Sequence, residues 1–455
     1  MKTSAHKTTF ATRLGIIFAT VGSAVGLGNI WHFPTTCGQN GGGAFVLLYL
    51  LITVVLGIPG MVCEFVVGRN GGKDPVHSYA KAGRRRIYGI IGALGALGGS
   101  LILGFYSVVA GWCVYYLALS LTDGALGSPF HISSTFAHLM AADNYTPLVL
   151  SVVFIVLTHL IIIRGVRKGI EVASKVMVPT LILLLMLLIV ASCSLPGAWD
   201  GIRFLLKPDF SKLSAHVAFK AMGEAFFSLS LGTACLCTYA SYFREETNLF
   251  RSTAQIVFID VAVALMAGLM IFPAAFSVGV KPDAGPSLVF MTMPNVFAQA
   301  FPHPAAYMVS VMFYLLLTIA ALTSTISMHE IGTAVLSQET PLSRGKAAWV
   351  VTLFCAAVGI LSAYSLSHEG CGLFGDSFFD NFDKLTANIM LPLGALCTLL
   401  IAGWVMPRRV LIRQLTSSGR YPWRRWGVGF FCILSRYVCP LMIVCILLYK
   451  LGVIG

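Results

Sequence analysis

GSAVGLGNIWHFP, residues 22–34, is the stretch whose reading decides the fold. It lies in the first apolar segment of the chain, yet it carries three glycines, an asparagine, a histidine and a proline. Glycine and proline interrupt helices, and Asn29 and His32 are polar. A helix broken inside a bilayer leaves backbone groups unpaired at a cost of several kcal/mol each. Such a break persists only where it is buried in protein and its freed groups bind something.

That the setting is a bilayer follows from composition. Of 455 residues, 57% are hydrophobic and only 11% charged, too apolar a balance for a protein that must clothe its surface in charge. Runs of about 20 apolar residues predict eleven spans, near 14–35, 43–67, 87–121, 146–164, 171–194, 217–241, 253–280, 305–336, 347–366, 384–406 and 427–449. The net charge of +13 could suggest a nucleic-acid partner, so the position of each basic residue matters. With the N-terminus inside, external segments hold only Arg203, Lys207, Lys212, Lys281 and Lys450, while Lys220, Lys384 and Arg436 lie in or beside spans. The rest of the 31 are cytoplasmic, including Arg84, Arg85 and Arg86. That is the positive-inside pattern, so basicity reports orientation and implies no nucleic acid. The cysteines stand mostly singly inside spans, without metal-ligand spacing. The basic opening segment lacks a small-residue cleavage site, so no removable signal is expected. Nothing in the sequence sets an oligomeric state.

A second interruption, SLSLGTA at 228–234, falls five spans after the first. Discontinuous helices at matching positions of two five-span halves point to an inverted repeat with a binding site at the midplane. Freed carbonyls suit small hard cations, and the N-terminus of the resuming half-helix suits a carboxylate. The competing reading is a close helix-packing face, because Gly22 and Gly26 are four apart. Asn29 and the adjoining aromatic-proline run are the features that packing leaves unexplained. The fold expected is therefore an all-α polytopic membrane protein, an inverted five-plus-five helix repeat with broken first and sixth spans, plus an eleventh span. Its segments are a cytoplasmic N-terminal stretch 1–13, repeats 14–194 and 195–406, a basic loop 407–426, and 427–455 with an external C-terminus.

These residues carry a family likeness. GSAVGLGNIWHFP followed by GQNGGGAFVLLY resembles the first-span signature of the neurotransmitter:sodium symporters. The likeness continues through GIPGMVCEFVVGRNGG (57–72), RGVRKGIEVASKVMVP (164–179), GEAFFSLSLGTACLCTYASY (223–242), GPSLVFMTMPNVF (285–297), LTSTIS (322–327) and FDKLTANIMLPLG (382–394). Eleven spans resemble the bacterial amino-acid branch, which implies a sodium-coupled symporter in the bacterial inner membrane, importing an amino acid by alternating access.

Carried over by position, the resemblance implies two sodium ions. One would sit on carbonyls of Gly22, Val25 and Ala320 with hydroxyls of Thr323 and Ser324. The other would use the Ala24 carbonyl, Asn29, Ser228 and Asp260. Asp260 is informative without any relative: a carboxylate in VFIDVAVALMAG costs roughly 2.5–3.5 kcal/mol to insert and marks function. It also supplies a fixed negative charge, so chloride is not expected to be required. The substrate carboxylate is placed on amides of Leu27 and Gly28 and on the Tyr106 hydroxyl. Its ammonium is placed on carbonyls of Ala24, Phe227, Ser228 and Ser230. Gly26 stands where monoamine-carrying relatives have an aspartate, which favours a ligand bringing its own carboxylate. Ile102, Phe227, Thr233, Thr325 and Met328 would line an apolar or aromatic side-chain pocket, with Thr233 and Ala234 departing from the family's residues.

The gates depart further. The family's outer arginine is His32, whose expected neighbours are Asp383 and, in place of the family's sixth-span glutamine, Glu224; either Glu224 shares a proton with His32 and the pair replaces the arginine–amide contact, or His32 is a neutral hydrogen-bonding spacer. On the inner side its arginine and tryptophan appear as Lys7 and Phe10, and an eighth-span acid as Gln338 beside Glu339. Two rival readings stand beside transport. A membrane-embedded enzyme could use Glu64, Asp260 and Glu224 as acid and base, but no nucleophile motif or metal cluster accompanies them, so no enzyme is expected. A non-transporting amino-acid sensor of the same fold is the alternative that the altered gates suggest.

Overall fold

The computed structural model describes residues 10, 12–122, 125–141, 143–279, 288–368, 371–373 and 375–453. Nearly all of them are helical, and the one small sheet pairs Gly372–Leu373 with Asp376–Ser377. Among the described residues eight helices are long and apolar enough to cross a bilayer: Gly43–Gly71, Arg86–Leu121, Val166–Cys193, Leu249–Ser277, His303–Glu339, Arg344–Ser367, Phe378–Val405 and Trp426–Lys450. A bent pair, Leu14–Ala24 with Gly28–Gln39, makes nine if it is one span. The fourth apolar segment is the shorter helix Thr146–Ile162. The sixth is split into Ala215–Ser228 and Cys235–Ser241. Leu183, Val190, Leu353 and Leu441, each more than half exposed, belong to an apolar exterior that only lipid would cover.

The first span begins where the Thr12 hydroxyl accepts the Gly15 N–H at 3.0 Å, capping the helix Arg13–Ala24. It ends at Val25, whose backbone turns extended (φ −76°, ψ 106°), and the second half departs at 51°. Asn29 holds the restart, its Oδ1 accepting the Gly26 N–H at 3.2 Å, the return half of a capping box. The packing at Gly26 is close, since a Cβ there would displace the Ser324 hydroxyl.

The sixth span breaks over 229–234 by three left-handed residues, Ser230 (φ 52°), Gly232 (φ 86°) and Ala234 (φ 60°). Two of these are not glycine, and each such residue costs of order 1–3 kcal/mol. The break is held from outside the span: buried Glu64, from the second span, accepts the Gly232 N–H at 2.6 Å. The third span makes room for the Ala234 methyl at Gly95, where an added Cβ would lie 2.6 Å from it. The third span packs along the eighth and ninth, while the second and seventh flank the two broken helices. The breaks therefore face each other at the centre.

Candidate binding site and its gates

Between the breaks lies a cavity lined by Ala24, Gly26 and Gly28 of the first span, Ile102 and Tyr106 of the third, and Phe227, Ser228, Ser230 and Thr233 of the sixth. Met328 of the eighth span also lines it, as does Ser324, expected at a sodium site, whereas Leu27, expected among the substrate residues, is not in the lining. It offers about 60 Å³ to water-sized spheres, several times the roughly 10–15 Å³ that one water needs. Ser23, Phe105, Thr386, Ala387 and Leu391 also line it, and they were not anticipated. Thr325 does not line the cavity. Its hydroxyl lies 2.9 Å from that of Thr158 and donates to the Leu322 carbonyl, so it ties the eighth span to the fourth.

At one pole the Leu27 N–H donates to the Tyr106 hydroxyl at 3.2 Å, where the restarted half-helix presents its positive end. At the other, the Ser230 hydroxyl donates to the Ser23 carbonyl at 3.3 Å, stitching break to break. Phe227 closes one wall, its ring centroid 5.2 Å from that of His32.

Two oxygen clusters adjoin the cavity. In one, the Thr323 hydroxyl donates to the carbonyls of Val25 at 3.2 Å and Ala320 at 2.9 Å, with Ser324 beside Gly26. An added Cβ on Gly22 would lie 3.4 Å from the Thr323 Cβ, so the first and eighth spans approach closely there. In the other, Asn29 Nδ2 donates to Asp260 Oδ1 at 2.8 Å and to Ser228 Oγ at 3.1 Å, and the Ser228 hydroxyl donates to Asp260 Oδ2 at 2.8 Å. All three are buried. Carbonyl, hydroxyl, amide and carboxylate oxygens are the donor set a hard monovalent cation takes, so both clusters fit sodium.

Of the two expected neighbours of His32, one is found beside it. His32 pairs with Glu224, Nδ1 to Oε2 at 2.5 Å, while no ion pair within 4 Å joins it to Asp383, which lines the cavity. Position explains this: His32 sits on the second half of the first span and Glu224 on the first half of the sixth, whereas Asp383 stands on the tenth. Of the residues expected at the inner gate, Phe10 is buried edge-on against Tyr239 and Tyr242, each 6.0 Å away. Lys7 lies outside the described residues. The Gln338 side chain accepts the Asp74 N–H at 3.2 Å. The inner acid that the structure adds is Glu330. Its Oε1 accepts the Tyr242 hydroxyl at 2.8 Å and an Arg344 N–H at 3.0 Å, and Arg344 Nη2 reaches Oε2 at 2.5 Å. The signal that could have found Glu330 was present, because a carboxylate in SMHEIGTAV is as costly in a bilayer as Asp260.

A polytopic helical protein with a cavity between two broken spans, flanked by oxygen clusters, has the architecture of a secondary transporter. The sequence profile of the sodium:neurotransmitter symporter family matches residues 7–128 and 130–454. YhdH of Bacillus subtilis, an uncharacterized sodium-dependent transporter, is 37% identical over 451 residues, 98% of each chain. An uncharacterized sodium-dependent transporter of Haemophilus influenzae is 32% identical over 98% of each chain. The crystal structure of MhsT in complex with L-phenylalanine superposes with a TM-score of 0.88 at 35% identity, covering 97% of this chain and 99% of that one. The chain belongs to the sodium:neurotransmitter symporter family and is a sodium-dependent membrane transporter, not an enzyme.

Proposed function

We propose that the protein imports an amino acid together with two sodium ions by alternating access, the first, second, sixth and seventh spans moving against the third, fourth, eighth and ninth. The observation that carries this is the two-pole cavity. Amides of Leu27 and Gly28 with the Tyr106 hydroxyl suit a carboxylate. Carbonyls of Ala24, Phe227, Ser228 and Ser230 suit an ammonium. Ser324, not a carboxylate, occupies the space beside Gly26. Ile102, Phe227 and Met328 in the lining favour an apolar or aromatic side chain, and MhsT, of the same fold, holds L-phenylalanine.

The two oxygen clusters are the proposed sodium sites, and the fixed charge of Asp260 makes chloride unnecessary. Moving one charge through 100 mV is worth about 2.3 kcal/mol, so two ions supply roughly 4.6 kcal/mol, about three decades of accumulation before their own gradient counts. The bacterial inner membrane, with the N-terminus cytoplasmic and eleven spans, is the setting that the arginine and lysine distribution supports. Uptake of each of the twenty amino acids into proteoliposomes, with an inward sodium gradient and with sodium equal on both sides, tests the reading. Gradient-dependent accumulation of at least one supports it. Sodium-dependent binding without accumulation would mark a sensor instead.

A further inference from the structure

The tenth span carries a carbonyl that its own helix cannot satisfy. Over Thr386–Met390 the helix widens by one residue, so the Leu391 N–H bonds to the Thr386 carbonyl, and the next residue, Pro392, has no N–H to give. Ala387 is left without a helical donor. Lys450, at the end of the eleventh span, fills the gap, its Nζ donating to the Ala387 carbonyl at 2.7 Å.

That bond uses one of three ammonium hydrogens. Close by are carboxylate oxygens with unspent capacity. Asp383 lies one helical turn before Ala387, lines the cavity and is exposed there, and among the described residues no hydrogen bond or ion pair engages its carboxylate. Buried Glu224 uses Oε2 on His32, while its Oε1 has no partner among the described residues. Lys450 lies within the field of both carboxylates, with Lys220 the opposing cation. The tip of the eleventh span is also fixed to the sixth, since Tyr449 bonds His216 at 2.9 Å and stacks on Phe219 at 4.8 Å.

We propose that Lys450 is the closing cation of the outer gate, its ammonium passing from the Ala387 carbonyl toward the Asp383 carboxylate as the cavity closes, while His32 stays with Glu224. The role is that of a positioning residue for substrate occlusion, and it rests on the alternating-access reading above. It accounts for how this chain retains a closing ion pair although His32 is engaged elsewhere.

The test uses the full chain in proteoliposomes, with L-phenylalanine as probe or whichever of the twenty amino acids gives the largest sodium-driven uptake. The reading is the rate at which bound probe escapes outward in sodium. Lys450→Gln keeps an N–H donor for Ala387 and removes the charge, so it separates gating from support of the carbonyl. Lys450→Gln and Asp383→Asn are each expected to speed escape about tenfold, the scale of coupling between contacting charges, and the double variant to escape no faster than either. Lys450→Arg is expected to stay near wild type. Escape unchanged in Lys450→Gln, or effects that multiply in the double variant, would overturn the proposal while leaving transport intact. Thermal midpoints in detergent, compared with wild type, separate a gating defect from misfolding. If Lys450→Gln does not fold, Lys450→Arg paired with Asp383→Glu serves, and escape that does not respond to the lengths of these two chains overturns the gate. Failure of the wild type to accumulate any amino acid removes the transport reading, and this one with it.

Discussion

Asn29 and Asp260 are 231 residues apart in sequence, yet the Asn29 amide lies 2.8 Å from Asp260 Oδ1 in the buried centre of the molecule. The contact joins the first break to the seventh span, and Ser228 of the sixth-span break bonds to both residues. A buried carboxylate held by two neutral donors has no counter-charge from the protein in this cluster, which is the charge the proposed sodium would supply.

Removing that charge is expected to weaken sodium. Asp260→Asn preserves the shape and leaves an amide between Asn29 and Ser228, so the sodium concentration for half-maximal uptake is expected to rise at least about tenfold, the effect of a lost charge-assisted contact. Wild-type uptake is expected to be unaffected when gluconate replaces chloride. Sodium titrations of both proteins, each with the anion swap, check this. A large loss of wild-type uptake in gluconate refutes the fixed-charge argument.

Thr323 and Ser324 make the other cluster. Thr323→Ala combined with Ser324→Ala removes two hydroxyls while the carbonyls of Gly22, Val25 and Ala320 remain. Sodium-dependent substrate binding is expected to be lost with the protein still folded. Thr323→Ser, which keeps its hydroxyl, is expected to stay within a few-fold of wild type. Equilibrium binding at fixed substrate and varied sodium is the measurement, and sodium dependence unchanged in the double variant rejects the site.

His32 and Glu224 form a pair that can share a proton at 2.5 Å. An ordinary histidine titrates near 6.5, whereas the arginine of the resemblance stays charged throughout. Sodium-driven uptake is therefore expected to vary with external pH over the range in which this pair exchanges its proton. Replacing the pair by Arg and Gln together is expected to flatten the profile. Two profiles of the same shape would show that this pair is not the source.

On the inner side Glu330 is buried with Arg344 and Tyr242 as partners. Arg344→Met strands a buried carboxylate, at a cost of about 3–5 kcal/mol. Tyr242→Phe removes one hydrogen bond to a charged group, about 1.5–3 kcal/mol. Thermal midpoints in detergent should rank wild type above Tyr242→Phe above Arg344→Met. Adding Glu330→Gln should recover most of the Arg344→Met loss, and a failure to recover it means that Arg344 acts by other contacts.

Asp74, between the second and third spans, caps the helix Pro75–Gly83 by accepting the His77 N–H at 3.1 Å. Burial, and beyond it the Glu339 carboxylate, push its pKa up to about 6, against the pull of that N–H. The folded chain thus holds a proton that the unfolded chain has lost above about 4, so stability falls as pH rises from about 4 to about 6. Asp74→Asn caps equally well and does not titrate. Its thermal midpoint relative to wild type is expected to climb across that window and level off above it. A gap constant with pH would place the origin of the effect elsewhere.

Local chemistry determined much of this protein from its sequence. Apolar runs placed the spans, the glycines and polar residues of 22–34 and 228–234 placed the breaks, and the cost of a carboxylate in lipid singled out Asp260. Each is a property of one short segment against a known solvent, so no knowledge of neighbours was needed. Partnership was different. Of the two neighbours expected for His32, Glu224 pairs with it and Asp383 does not; Thr325, expected in the pocket, lies on Thr158; and the links of Glu330 to Tyr242 and Lys450 to Ala387 have no counterpart in the sequence reading. A helical residue three places round points to another neighbour, and the bend at Val25, the widened turn at Thr386–Met390 and the left-handed residues at 230, 232 and 234 each rotate the chain beyond them. Only the packed structure sums those rotations. It alone decides which buried charge meets which donor.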